Sequence, residues 1–117
     1  MAYVDGYVLP VPRDKLEEYK VFTKQGGALW MEHGALSYRE AVADDVKPGK
    51  LTSFPQSVQL REDETVVFAY VTYESRAHRD AVNEKVMADP RMKTMFENMP
   101  VDGARMIFGG FEVFLDL

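Results

Sequence analysis

The chain has 117 residues, enough for one domain with a single core and too few for two. Its 14 Lys and Arg stand against 19 Asp and Glu, a formal net charge of -5. A phosphate-binding surface uses the opposite balance, so no nucleic-acid partner is expected. With no cysteine there are no disulfides, no thiolate metal site and no cysteine nucleophile, a composition that suits a reducing compartment.

No apolar run approaches the ~20 residues that cross a bilayer, and the first residues open into a strand pattern rather than a signal peptide. The expectation is a cytoplasmic domain with no membrane partner.

Tyr3 to Val11 reads as the first strand, with Val4, Gly6 and Val8 on one face and Tyr3, Asp5, Tyr7 and Leu9 on the other. Pro10 and Pro12 are expected to end it, because proline cannot donate to a ladder. Asp14, Glu17 and Glu18 open a helix, and Leu16, Tyr19, Phe22, Gly26, Leu29 and His33 recur on one helical face. Gly26-Gly27 inside that face predicts close packing, and Gly34 is a left-handed terminator. Leu36 to Ala43 reads as a second strand with Leu36, Tyr38, Glu40 and Val42 on one face. The polar segment 44–64 is expected to hold either a short helical turn around Ser53 to Gln59 or a lid or arm. Phe54, Val58 and Leu60 would tie it down in either case.

Thr65 to Tyr73 is the most strand-like stretch, β-branched and aromatic with no charge on either face, so both faces are expected to be buried. Ser75 is an N-cap for a second helix that stops at Pro90, and Asp89-Pro90 begins a further short one lined by Met92, Met95, Phe96 and Met99. Met106 to Asp116 reads as the last strand. The β-α-β-β-α-β order predicts a ferredoxin-like α+β fold over residues 1–117: a four-stranded antiparallel sheet with both helices on one face.

If the helices cover Val4, Val8, Val67, Val71, Ile107, Phe111 and Val113, the other face holds Asp5, Tyr7, Phe68, Tyr70, Met106, Phe108, Glu112 and Phe114, with Tyr38 and Glu40 added by the second strand. Such an aromatic face predicts a homodimer through the sheets. Asp5, Tyr7, Tyr38, Glu40, Phe68, Tyr70, Phe108 and Glu112 become the candidate pocket-lining residues. Asp5 and Glu112, on neighbouring strands, are expected to approach one another and raise one pKa. The buried carboxylates admit either an acid–base role in a pocket or a structural one at a dimer seam.

His33 and His78 fall on different helices and make no metal set, so neither a metal nor another cofactor is expected. The methionines between Met87 and Met99 fit core filling better than a ligand-binding wall. The sequence contains no phosphate loop, nucleophile elbow or zinc signature.

Four segments carry a resemblance: Tyr3-Val4-Asp5-Gly6-Tyr7, His33-Gly34-Ala35-Leu36, Asn83 to Arg91 and Arg105 to Glu112. They are similar to the marked segments of the YbaA-like bacterial proteins, a domain family of unknown function, and the resemblance spans nearly the whole chain. It implies membership of the dimeric α/β-barrel superfamily, whose sheets pair face to face. Gly26-Gly27 departs from the pattern, and the family supplies no catalytic residues to carry over. The expected function is binding of a small, partly apolar molecule in the barrel of a homodimer. Two alternatives stand beside it. The superfamily includes cofactor-free monooxygenases acting on aromatic or quinol-like substrates, and a solidly packed interface would mark a structural protein.

Overall fold

Strand β1 (Tyr3–Pro12) runs antiparallel between β3 (Glu64–Tyr73) and the shorter β4 (Ile107–Glu112), and β2 (Ser37–Val42) adds to the far side of β3. The computed structural model describes residues 1–117 and gives the strand order β2-β3-β1-β4. A 3₁₀ turn at Arg13–Lys15 leads into α1 (Leu16–Glu32). The short α2 (Phe54–Ser57), α3 (Arg76–Ala88) and α4 (Pro90–Glu97) follow. This is the ferredoxin-like plan, with the second helical layer divided at Asp89-Pro90.

Capping chemistry sets the helix boundaries. Ser75 accepts the His78 amide, and Asp89 accepts the Arg91 amide ahead of Pro90 at the first position of α4. α1 stops at His33, where Gly34 takes a φ of +113° that a side chain would resist. His33 Nε2 lies 2.8 Å from Asp89 Oδ2, and Arg91 pairs with both Asp89 and Glu32. These contacts tie the end of α1 to the start of α4 and hold the Asp89 carboxyl below its usual range, Arg91 contributing most and His33 next. His78 accepts the Glu74 amide and packs edge-on against Tyr73 rather than facing solvent freely.

The β1–β3 register decides everything about the site. Asp5 pairs with Val71 and Tyr7 with Ala69, so Tyr3, Asp5, Tyr7, Leu9 and Val11 share a face with Val67, Ala69, Val71 and Tyr73. α1, α3 and α4 cover that face: Leu29, Val82, Val86 and Met92 close on Tyr3, Val71 and Tyr73, while Tyr19 closes on Leu9, Val11 and Val67. The expected placement of β1 and β4 is therefore reversed, as is that of Tyr38 and Glu40 on β2, which pair with Val71 and Ala69 on the covered face. Val4, Val8, Ile107 and Phe111 lie on the open face beside Phe68 and Tyr70, and Asp5, Tyr7, Phe108 and Glu112 turn toward the helices. Hydropathy sent Val4 and Val8 inward, whereas the actual alternation buries Asp5, 4% exposed, because Arg79 of α3 pairs with it.

Only one face of β3 is fully buried: Phe68, on the other, is 42% exposed. β1 also continues through Pro10 to Pro12. The β1–β4 pairing ends at Val8, which leaves a free edge where a missing amide hydrogen costs little. β4 itself ends at Glu112 rather than Asp116.

Of the two readings of segment 44–64, the helical turn is the one present. Ser53 caps α2, and Val58 and Leu60 pack against Val8 and Val66 on the open face. Arg105 fastens the segment by donating to the Gln59 carbonyl at 2.9 Å and to both Glu64 oxygens. No helix is long and apolar enough to cross a membrane.

Candidate functional site

Between the helices and the covered face of the sheet lies a cavity of about 390 Å³. Its floor draws on two ladder rows of the sheet. Glu40, Ala69, Tyr7 and Phe108 stand side by side across the four strands, and Tyr38 and Asp5 reach it from the next row, on either side of Val71. Ala69 leaves the centre low, since a methyl group stands where its neighbours carry long side chains. The roof comes from Phe22 and Trp30 of α1, Asn83 and Met87 of α3, and Met92, Met95 and Phe96 of α4. Phe108, Met87 and Phe96 are exposed and lie on the cavity wall, so it opens beside β4.

Gly27 allows α1 to settle onto β2. A Cβ there would come within 2.7 Å of the Tyr38 ring, so the glycine is required by contact. This agrees with the packing expectation for the pair.

Two carboxylates serve the floor. Asp5 Oδ1 receives Arg79 Nη1 at 2.8 Å, while Arg79 also donates to Tyr3 and Asp80. Asp5 Oδ2 is buried with no hydrogen-bond partner. Burial raises the Asp5 pKa. Arg79, and more weakly the nearby Asn83 and Tyr73, oppose the rise without cancelling it. Glu40 accepts Tyr19 Oη on one oxygen at 2.5 Å and Tyr38 Oη on the other at 2.6 Å. Burial raises its pKa too, against the pull of both tyrosines. Tyr7, stacked on Phe108, has its hydroxyl pushed up to about 12 by burial first and by the Asp5 charge second. Asn83 Oδ1 receives Trp30 Nε1 at 3.2 Å and Tyr73 Oη at 3.3 Å, which fixes the indole in the roof.

The matches with known proteins agree with this geometry. Residues 2–103 match the family described as "Protein of unknown function (DUF1428)". The uncharacterized protein YbaA of Escherichia coli K12 is 48% identical over 116 residues, 99% of each chain, and YbaA of Shigella flexneri matches to the same extent. The chain belongs to the DUF1428 family. Among solved structures, a crystal structure of SnoaB, a cofactor-independent oxygenase from Streptomyces nogalater, superposes with a TM-score of 0.60 at 10% identity. The match covers 99% of this chain and 96% of SnoaB. At that identity the likeness is one of fold: this DUF1428 protomer shares with SnoaB an α+β fold, here a four-stranded antiparallel sheet with α1, α3 and α4 on one face.

Three of the four segments by which the chain resembles the YbaA-like proteins converge here, bringing Asp5, Tyr7, Asn83, Met87, Met106 and Phe108 to one cavity, while His33 to Leu36 lie outside it. Of the eight sequence candidates, Asp5, Tyr7, Tyr38, Glu40 and Phe108 line it. Phe68 and Tyr70 do not, because they point from the open face of β3. Glu112 does not either. It pairs with Tyr3 at the strand end and is exposed, so the partner of Asp5 is Arg79 rather than Glu112. The cavity also lies within one protomer, not between two sheets.

Sequence reasoning missed Arg79, Asn83, Trp30 and Ala69. Arg79, Asn83 and Met87 recur at i, i+4 and i+8, a helical row that could have been read beside the Val82 and Val86 stripe. Met87, Met92, Met95, Met99 and Met106 all line the cavity, and of these Met92 is also part of the buried core.

Proposed function

We propose that this DUF1428 protein binds a small, partly apolar molecule in the protomer cavity, and that it does so as a cytoplasmic homodimer. The observation that carries the binding reading is the cavity itself, about 390 Å³, walled by aromatic rings and thioethers with the few polar groups Asp5, Glu40, Arg79 and Asn83 among them. An apolar space with a small number of polar groups is the usual form of a small-molecule site. A thermal-shift screen against aromatic, quinone and acyl metabolites tests it. Hits should raise the melting temperature and change the fluorescence of Trp30, the single tryptophan. Ala69→Leu should abolish both responses by filling the floor.

The homodimer rests on the open face of the sheet. Val4, Phe68, Tyr70, Ile107 and Phe111 form an apolar surface there, with Phe68 and Phe111 exposed by 42% and 62%. α2 and its neighbours cover only the Val8 and Val66 corner. A second copy in the face-to-face arrangement of the superfamily covers the remainder.

A second reading is favoured by the fold of SnoaB and by two carboxylates at an aromatic pocket, Asp5 buried and Glu40 half-buried: oxidation of a phenol or quinol by dioxygen without a cofactor. Dioxygen uptake with a panel of phenols and hydroquinones tests it, and uptake lost in Asp5→Asn or Glu40→Gln would tie it to this site.

A further inference from the structure

We propose that the cavity selects a cationic ligand, an amine on an apolar or aromatic body, and that Glu40 receives its ammonium group. This inference rests on the cavity being a binding site and adds the charge of what fills it. Asp5, Glu40 and Arg79 are the charged side chains lining the space, two negative against one positive. Arg79 is spent on Asp5 at 2.8 Å. Glu40 has no cation. Lys20 and Lys24 line an outer groove behind it, but neither pairs with it, and Lys20 is bonded to Glu17 at 3.2 Å instead.

The two tyrosine hydroxyls that Glu40 accepts are neutral donors, one on each oxygen, so the carboxylate has hydrogen bonds and no counter-charge. Carboxylates taken out of water are ordinarily paired with a cation, and the partial burial of Glu40 already disfavours its charge. The walls of the cavity carry three aromatic pairs with centroids 6.1 to 6.4 Å apart: Tyr19 with Phe22 and Trp30 with Tyr38 on the Glu40 side, and Tyr7 with Phe108 across the floor. Ring faces attract a desolvated cation, most strongly those of tryptophan and tyrosine. A carboxylate set among such rings is the chemistry that holds an alkylammonium group. The same lining disfavours carboxylates and phosphates, because the one guanidinium is already occupied.

Asp5 reinforces the preference from the other end of the floor. Strand spacing puts its Cα roughly 12 Å from that of Glu40, along a diagonal across β3. Its charge, only partly answered by Arg79, adds to the negative potential of the floor.

Three probes of one shape separate the outcomes: 2-phenylethylamine, 2-phenylethanol and phenylacetate, titrated into the wild-type protein and followed through Trp30 fluorescence and calorimetry. The amine should bind about tenfold more tightly than the alcohol, with the acid weakest, and Glu40→Gln should erase the advantage of the amine. Equal affinity for amine and alcohol, or tighter binding of the acid, overturns the charge assignment while leaving the cavity reading intact. Binding of none of the three overturns both. The comparison on wild-type protein stands even if the variant fails to fold.

Discussion

Tyr38 and Glu40 stand two residues apart on β2, point to the same face, and are joined by a 2.6 Å hydrogen bond from Oη to Oε2. With Tyr19 on Oε1, the carboxylate is held by two phenols and no charge. Burial raises its pKa and the phenols lower it. Tyr19→Phe should therefore move the Glu40 midpoint further up, and Tyr19→Phe with Tyr38→Phe further still. Carboxyl-carbon NMR titration checks this. A Glu40 midpoint unchanged by either substitution would mean that the phenols do not hold it.

The Asp5–Arg79 pair makes a prediction about stability. Arg79→Leu strands a buried carboxylate and should cost about 2–4 kcal/mol at neutral pH, somewhat below a fully buried pair because Arg79 is partly exposed. The sign with pH follows from linkage. The Asp5 pKa is raised in the folded state, so the folded state binds more protons than the unfolded one between the two values. Its contribution is therefore favourable at acid pH and declines as pH rises from the unfolded value through the folded one. Without Arg79 that decline should steepen, and the variant should recover relative stability on acidification. Urea unfolding across a pH series measures it, and a pH-independent difference would contradict it.

Gly27 offers a packing test. Gly→Ala in a helix interior normally gains about 1 kcal/mol, yet here the new Cβ would meet Tyr38 at 2.7 Å, a ring pinned by its bond to Glu40. Overpacking costs about 1–3 kcal/mol, so Gly27→Ala should be net destabilising in urea unfolding. A stabilised variant would show that α1 has room to move away from β2.

Much of the fold was legible because its signals are local. Ser75, Asp89-Pro90 and Gly34 end or begin helices through their own chemistry, and Thr65 to Tyr73 could be little but a strand. The faces were not legible in the same way. Alternation along β1 gives two sets of residues, but which set meets α1 depends on its register with β3, a long-range pairing. Val4 and Val8 look like core, and nothing near Asp5 in the chain marks it for the helix-covered face until Arg79, 74 residues later, is placed beside it. For that reason five of the eight candidate residues reached the cavity although they had been assigned to the opposite face. Ala69 could not be read at all, since its importance is the space it leaves.

The open face yields a prediction about assembly. With Phe68, Tyr70, Ile107 and Phe111 covered by a second copy, each 100 Å² of apolar surface removed from water contributes about 2.5 kcal/mol. The wild-type protein should sediment as a dimer at micromolar concentration, and Phe68→Glu or Phe111→Glu should give monomer or aggregate. A stable wild-type monomer would contradict the pairing.

The most direct test of the binding site uses the methionine methyl groups. Met87, Met92, Met95, Met99 and Met106 line the cavity, whereas Met1 and Met31 lie outside it. In carbon-13 methyl NMR, a ligand from the metabolite screen should shift the five cavity signals and leave those of Met1 and Met31 in place. Shifts confined to Met1 or Met31, with the five cavity methyls unmoved by a ligand that demonstrably binds, would put the binding site elsewhere and contradict the account.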